Sequence, residues 1–374
     1  MAMRGWGARL GVAGAIVVAV LGLAWWLVGG IVGVVESRLP DFPDWPPPVE
    51  ALEAGTVGEI YFRSWSPYDF DILLRARPLP VPTTGRGNLL LPDRASPQDP
   101  VPAMVLLHGS GGISPGRERE AARTLAEAGY AAFVIDYYAP RGIGPESDYM
   151  AKVLAVTEFD AVADAYGALS VLSSHPSIDG DRIGLMGFSY GGMAVRIAMD
   201  ERVRRTFAPD HRGFRSFVDV YGPCFQDWGT RETNGSPLLT LRGTNDASND
   251  LAACAEREEG LRRLGVEVES KVYEGAGHAW EVDKPRELMP SPYVSGCTVR
   301  YDERGHSFIG DTAIVSGAVD DTRAERVLQR IASGGPMTEC VHEGYVIGRD
   351  DETRARAIRD WLDFLARTLV DGPA

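Results

Sequence analysis

Positive charge is what this sequence most lacks: 38 Lys and Arg residues stand against 52 Asp and Glu, a formal net charge of −14 in 374 residues. A nucleic-acid binder needs a basic face to meet phosphates, so that class of partner is excluded. Lysine is confined to Lys152, Lys271 and Lys284, and arginine carries nearly all the positive charge. Cysteine is also scarce, with four residues, none before Cys224. No C-x-x-C spacing or clustered Cys/His pattern accompanies them, which argues against a zinc site. Internal repeats, low-complexity blocks and like-charge runs are missing, and no segment is large enough to form a propeller-like extra domain. The apolar fraction of 44% and charged fraction of 24% are those of a folded globular protein.

The single long hydrophobic run lies at the N-terminus, where Leu10 to Val35 contains no charged residue. As a helix it would span roughly 39 Å, enough to cross a hydrocarbon core with some tilt. A cleaved signal peptide would have an apolar region of about 7–15 residues ending in a small-x-small site. Val34-Val35-Glu36 offers none, so residues 1–36 are expected to be an uncleaved transmembrane anchor. Arg4 and Arg9 precede the run, which orients the N-terminus to the cytoplasm and the rest outside it. Residues 37–57, with Pro40, Pro43 and Pro46-Pro47-Pro48, read as a semi-rigid spacer. An even cysteine count in an exported domain suggests disulfides. Three pairings are possible, and Cys224–Cys254 with Cys297–Cys340 is expected because each would staple neighbouring segments near the site below.

Residues 58–374 alternate strand and helix patterns. Glu59–Arg63 and Gly87–Leu91 read as strands bounded by Pro and Gly. Ala103–Leu107 and Ala131–Ile135 are continuous apolar runs suited to strands buried on both faces. Helices are expected over 117–128, 150–173, 191–199 and 251–264, and further strands over 182–186, 217–221, 238–241 and 266–273. This alternation predicts an α/β fold with a mostly parallel sheet covered by helices on both sides. The Pro-, Gly- and Asp-rich stretch from about 284 to 349 breaks the rhythm and reads as a disulfide-framed insertion before a closing helix over 352–369.

Gly187-Phe188-Ser189-Tyr190-Gly191-Gly192 falls between a strand and a helix. A serine in such a tight turn exposes its hydroxyl, and the glycines let strand and helix approach, so Ser189 is the candidate nucleophile. A serine needs a base, and the base an orienting acid, in the order Ser, Asp or Glu, His. His278, after Gly275-Ala276-Gly277 at a strand end, is the preferred base; His306 is second and His342 third, and His175 and His211 read as loop residues. Asp246 follows the strand 238–241 and is the preferred acid, with Asp219 as the alternative; Asp250 reads as a helix cap. His108-Gly109-Ser110-Gly111-Gly112 follows a buried strand and can curl its backbone around a carbonyl oxygen. An oxyanion hole is expected from the N–H of Ser110 or Gly111 together with that of Tyr190, with His108 bracing the loop.

These residues resemble the dienelactone hydrolase family of α/β-hydrolases over about 87–280. The likeness rests on Val105-Leu106-Leu107-His108-Gly109, on Asp136-Tyr137-Tyr138-Ala139-Pro140-Arg141-Gly142, on the serine turn and on the segment ending at His278. It implies an α/β-hydrolase fold and cleavage of a small-molecule ester or lactone, without metal or organic cofactor. The name-giving enzymes are soluble and carry cysteine where this chain has Ser189. Arg141 is a candidate to bind an acidic substrate group, since arginine suits carboxylates, with a salt bridge or loop brace as the alternative. The competing functions are a cell-envelope acyltransferase or peptidase on the same triad, or a binding module on a dead hydrolase fold.

Overall fold

In the computed structural model of the chain, residues 22–23, 26–27, 29–75, 82–314 and 321–370 are described. Most of the predicted anchor lies outside them. Residues 29–36 are helical, and among the described residues no helix is long and apolar enough to cross a membrane.

The core is an eight-stranded sheet in the order β1-β2-β4-β3-β5-β6-β8-β9. Its strands are β1 (Gly58–Trp65), β2 (Pro82–Leu90), β3 (Val101–Leu107), β4 (Ala131–Ile135), β5 (Ile178–Phe188), β6 (Phe217–Val220), β8 (Leu238–Gly243) and β9 (Val268–Tyr273). The short β7 (Gln226–Asp227) belongs to a smaller sheet. β1 and β2 are antiparallel to their neighbours, and every pairing from β4 to β9 is parallel. β3 shows why this sequence takes that position. All seven of its residues are buried, with Val101, Ala103, Val105 and Leu107 in one core and Met104 and Leu106 in the other. Alternate side chains of a strand face opposite sides, so only a continuous apolar run suits a sheet covered twice. The helices Glu158–Leu172 and Tyr190–Ala198 cover the first face, and Glu118–Glu127 and Asp351–Leu365 the second.

One expectation needs correction. The single helix expected over 150–173 is two, Tyr149–Ala155 and Glu158–Leu172. Val156 is extended, and Thr157 and Asp160 form a reciprocal capping box that restarts the helix. The stretch 284–349 is also more regular than its composition suggests. β10 (Glu287–Val294) pairs with β14 (Val341–Ile347), while β11 (Val299–Tyr301), β12 (Ser307–Ile309) and β13 (Thr312–Ala313) join β7 in a four-stranded sheet. A helix, Arg323–Met337, follows β13 and opens on its own capping box at Thr322 and Glu325. The disulfides are Cys224–Cys254 and Cys297–Cys340, as expected. The first fastens the loop after β6 to the helix Leu251–Arg263, and the second closes the far end of the β10–β14 ribbon.

Candidate active site

Ser189 sits between β5 and the helix Tyr190–Ala198, with φ 54° and ψ −112°. A non-glycine residue at such a φ is strained, and here the strain pushes the hydroxyl out at the carboxyl end of the sheet. Its glycine neighbours are there for space. A Cβ on Gly187 would collide with the backbone of Gly191, and one on Gly191 with the carbonyls of Leu107 and His108.

The three residues chosen from their order in the chain meet. His278 Nε2 lies 2.8 Å from Ser189 Oγ, and its Nδ1 lies 2.6 Å from Asp246 Oδ2. Asp246 is buried after β8 and accepts further bonds from the Ser248 backbone N–H, the Ser248 hydroxyl and Asn249 Nδ2. That set positions the carboxylate and aims one oxygen at the ring, so that Nδ1 is the nitrogen that donates to Asp246 and Nε2 is left to accept from Ser189. Tyr221 packs on the imidazole at 4.6 Å between centroids, and its hydroxyl donates to Glu281 at 2.6 Å. Burial pushes the Glu281 carboxyl up to about 7, against the opposing pull of Tyr221 and Arg117. The His278 backbone is bonded to the ribbon: its N–H donates to Val346 O, and its carbonyl accepts from Gly348 N–H.

The oxyanion loop is tied back by its carbonyls. Tyr137 OH donates to His108 O, Tyr138 OH to Ser110 O, and Arg117 Nη2 to Gly112 O. His108 is buried, stacks on Tyr137 at 3.7 Å and bonds Gly109 O, so it braces the loop as expected. Tyr190 is the first residue of its helix, so its N–H has no acceptor within the helix.

The remaining candidates lie elsewhere. The Asp219 carboxylate is held by Arg196 and Arg242, each at 2.9 Å, and Asp250 caps the helix Leu251–Arg263. His306 pairs with Asp302, and His342 is exposed with Nε2 near Ser295 O. His175 and His211 bond the carbonyls of Thr56 and Gly180. Arg141 is the clear correction among the substrate-binding candidates. It is 1% exposed, and its five N–H groups go to Ser66 Oγ, Tyr137 O, Trp65 O and both oxygens of Asp164. The brace reading holds, and no donor remains for a substrate.

Ser189 opens on a cavity of about 420 Å³ that also touches Ser110, Tyr190 and Ser248. Its far walls come from the helices Tyr149–Ala155 and Glu158–Leu172, the helix Arg323–Met337 and the β10–β14 ribbon. Sequence reasoning did not single out Ser248, Asn249, Glu158, Arg330 or Tyr345. The first two follow Asp246 by two and three residues, a spacing at which polar side chains reach back to a carboxylate. The other three carry no local signal, because the fold alone brings them to the serine.

The sequence pattern of the dienelactone hydrolase family matches residues 88–333. The chain belongs to the dienelactone hydrolase family. Within it, the chain is similar to a probable 2-oxo-3-(5-oxofuran-2-ylidene)propanoate lactonase of Bradyrhizobium sp., 26% identical over 215 residues, which cover 54% of this chain and 82% of that one. Among solved structures it resembles a propionate-bound thermophilic esterase of Thermogutta terrifontis at 20% identity and a TM-score of 0.42. That match covers 53% of this chain and 80% of the other. The part of this family member beyond residue 333 includes β14, which supports His278.

Proposed function

We propose that this member of the family is a serine hydrolase of carboxylic esters or lactones working through an acyl-enzyme. The observation that carries the reading is the continuous Asp246–His278–Ser189 chain of hydrogen bonds at the floor of the cavity. Ser189 Oγ attacks the carbonyl carbon while His278 Nε2 takes its proton, and Asp246 stabilises the imidazolium. The carbonyl oxygen, now negative, is met by the N–H of Tyr190 and of Ser110 or Gly111. Collapse expels the alcohol, protonated by His278, and water then releases the acid by the same steps in reverse roles. The name of the lactonase relative supports this reaction type. Residues 1–36 anchor the protein in a membrane with the hydrolase domain outside the cytoplasm, a reading supported by the uncharged Leu10–Val35 run and by two disulfides.

The test is a fluorophosphonate probe on the detergent-solubilised full-length protein, with the labelled residue mapped by mass spectrometry. Labelling at Ser189, abolished in His278→Ala and accompanied by loss of esterase activity in Ser189→Ala, is the expected result. A folded protein that is not labelled, or a Ser189→Ala variant with normal turnover, would refute the assignment.

A further inference from the structure

The cavity walls contain a buried polar cluster that the reaction does not use. Glu158, 1% exposed, accepts from Tyr190 OH at 2.7 Å and from Gln226 Nε2 at 2.7 Å. Arg330, on the helix Arg323–Met337, reaches it at 3.3 Å and the Tyr190 hydroxyl at 3.2 Å. Burial by itself would raise the Glu158 carboxyl, but Arg330 and the two neutral donors outweigh it and keep the group ionised.

Among the described residues lining the cavity, the charged ones are Asp69, Glu158 and Arg330. The guanidinium of Arg330 is engaged with Glu158 and with the Tyr190 hydroxyl. Apolar side chains dominate the remaining wall, with Phe70, Phe159, Met193, Phe225, Tyr301 and Tyr345 on different sides. Arg141, the other cation considered for a substrate carboxylate, is sealed in the core. A carboxylate entering such a cavity would lose its water and meet a guanidinium whose charge is already offset by Glu158. An apolar group would meet none of these penalties and would gain by leaving water.

Resting on the esterase reading above, we infer that the site selects uncharged esters with an apolar acyl group and rejects substrates bearing a carboxylate, with Glu158 and Arg330 as the specificity-determining pair. In this arrangement Arg330 neutralises Glu158 and does not reach out to the substrate. The discrimination is local, distinct from the general repulsion of anions by a protein of net charge −14.

The experiment compares the 4-nitrophenyl ester of hexanoic acid with the mono-4-nitrophenyl ester of adipic acid, in which a carboxylate replaces the terminal methyl group. The full-length protein is assayed in about 0.5 M salt, where long-range fields are screened within a few ångströms. The expected result is a kcat/KM for hexanoate at least about tenfold higher, with the gap narrowed several-fold in Glu158→Gln. In Arg330→Gln the uncompensated Glu158 should widen the gap, the adipate ester losing more than the hexanoate. Parity or a preference for adipate in the parent, or an unchanged gap in Glu158→Gln, would overturn the inference while leaving the esterase intact. If neither ester is cleaved, the proposed hydrolysis itself is refuted, and this inference with it.

Discussion

Replacing Arg141 by methionine would remove the cation that neutralises Asp164 and lies 3.8 Å from Asp160, in a region where both carboxylates are buried. The guanidinium forms a fork–fork pair with Asp164 at 2.9 and 3.0 Å, and its other donors satisfy one hydroxyl and two carbonyls. Breaking a buried pair from one side costs about 3–5 kcal/mol, because the surviving charge is left without a partner. At about 2 °C per kcal/mol for a domain of this size, the midpoint of thermal unfolding should fall by roughly 6–10 °C. Burial already pushes the Asp164 carboxyl up, with Arg141 pulling the other way. Without Arg141 the group should take up a proton, so the loss of stability should be smaller in mild acid and grow as pH rises. Adding Asp164→Leu should recover part of the loss, since an apolar pair tolerates burial. The assay is thermal unfolding followed by circular dichroism, with ester kinetics on each variant at a temperature where it is folded. An unchanged midpoint combined with a raised KM would refute the reasoning and return Arg141 to the substrate.

Further outcomes follow from the site and its supports. Ser248→Ala removes one charge-assisted donor to Asp246 but leaves the Ser248 N–H and Asn249, so kcat should drop about tenfold with the fold intact; an unchanged kcat would mean the hydroxyl does not orient the acid. Glu281 has its folded pKa raised from 4.5 to about 7 by burial, so its contribution favours the folded state below about pH 4.5 and is lost as pH rises through 7. Glu281→Gln should therefore gain stability relative to the parent, up to about 3 kcal/mol, across that window; chemical denaturation at pH 4.5 and 7.5 gives the difference, and a pH-independent difference would contradict it. Cys224→Ser with Cys254→Ser frees a loop of sequence separation 30 and should cost about 3–4 kcal/mol in chemical denaturation without reductant, where Cys297–Cys340 stays closed; an unchanged midpoint would contradict it.

The parts of the fold legible in the sequence were those determined by neighbours along the chain. The run Ala103–Leu107 announces a strand covered on both faces, and the Gly-Phe-Ser-Tyr-Gly turn announces its own geometry. His278 is separable from His306 because it ends a small-residue loop just past a strand, whereas His306 falls inside the stretch 284–349; in the structure His306 pairs with Asp302. The misreadings share a cause, which is chemistry decided at long range. Arg141 looks like a ligand-binding arginine until Asp164, on the helix Glu158–Leu172, is seen to receive it. Thr157 interrupts an unbroken helical periodicity because a four-residue capping box, Thr157 to Asp160, outweighs it locally. The stretch 284–349 reads as irregular because Pro290 and Pro292 fall inside β10, and the ladder passes them through a register shift. Nothing near Arg330 in the sequence signals that it reaches the residue following the nucleophile.

The bonds between His278 and the β10–β14 ribbon have a consequence for how such a protein can change over time. A roof attached only at its edges could be exchanged between hydrolases by recombination or trimmed away in the laboratory, with the chemistry left in place. Here the carbonyl of Val346 and the N–H of Gly348 hold the backbone of the base itself. Excising the segment would remove the support of the histidine along with the walls of the cavity. The segment and His278, the proposed base, are therefore constrained to change together.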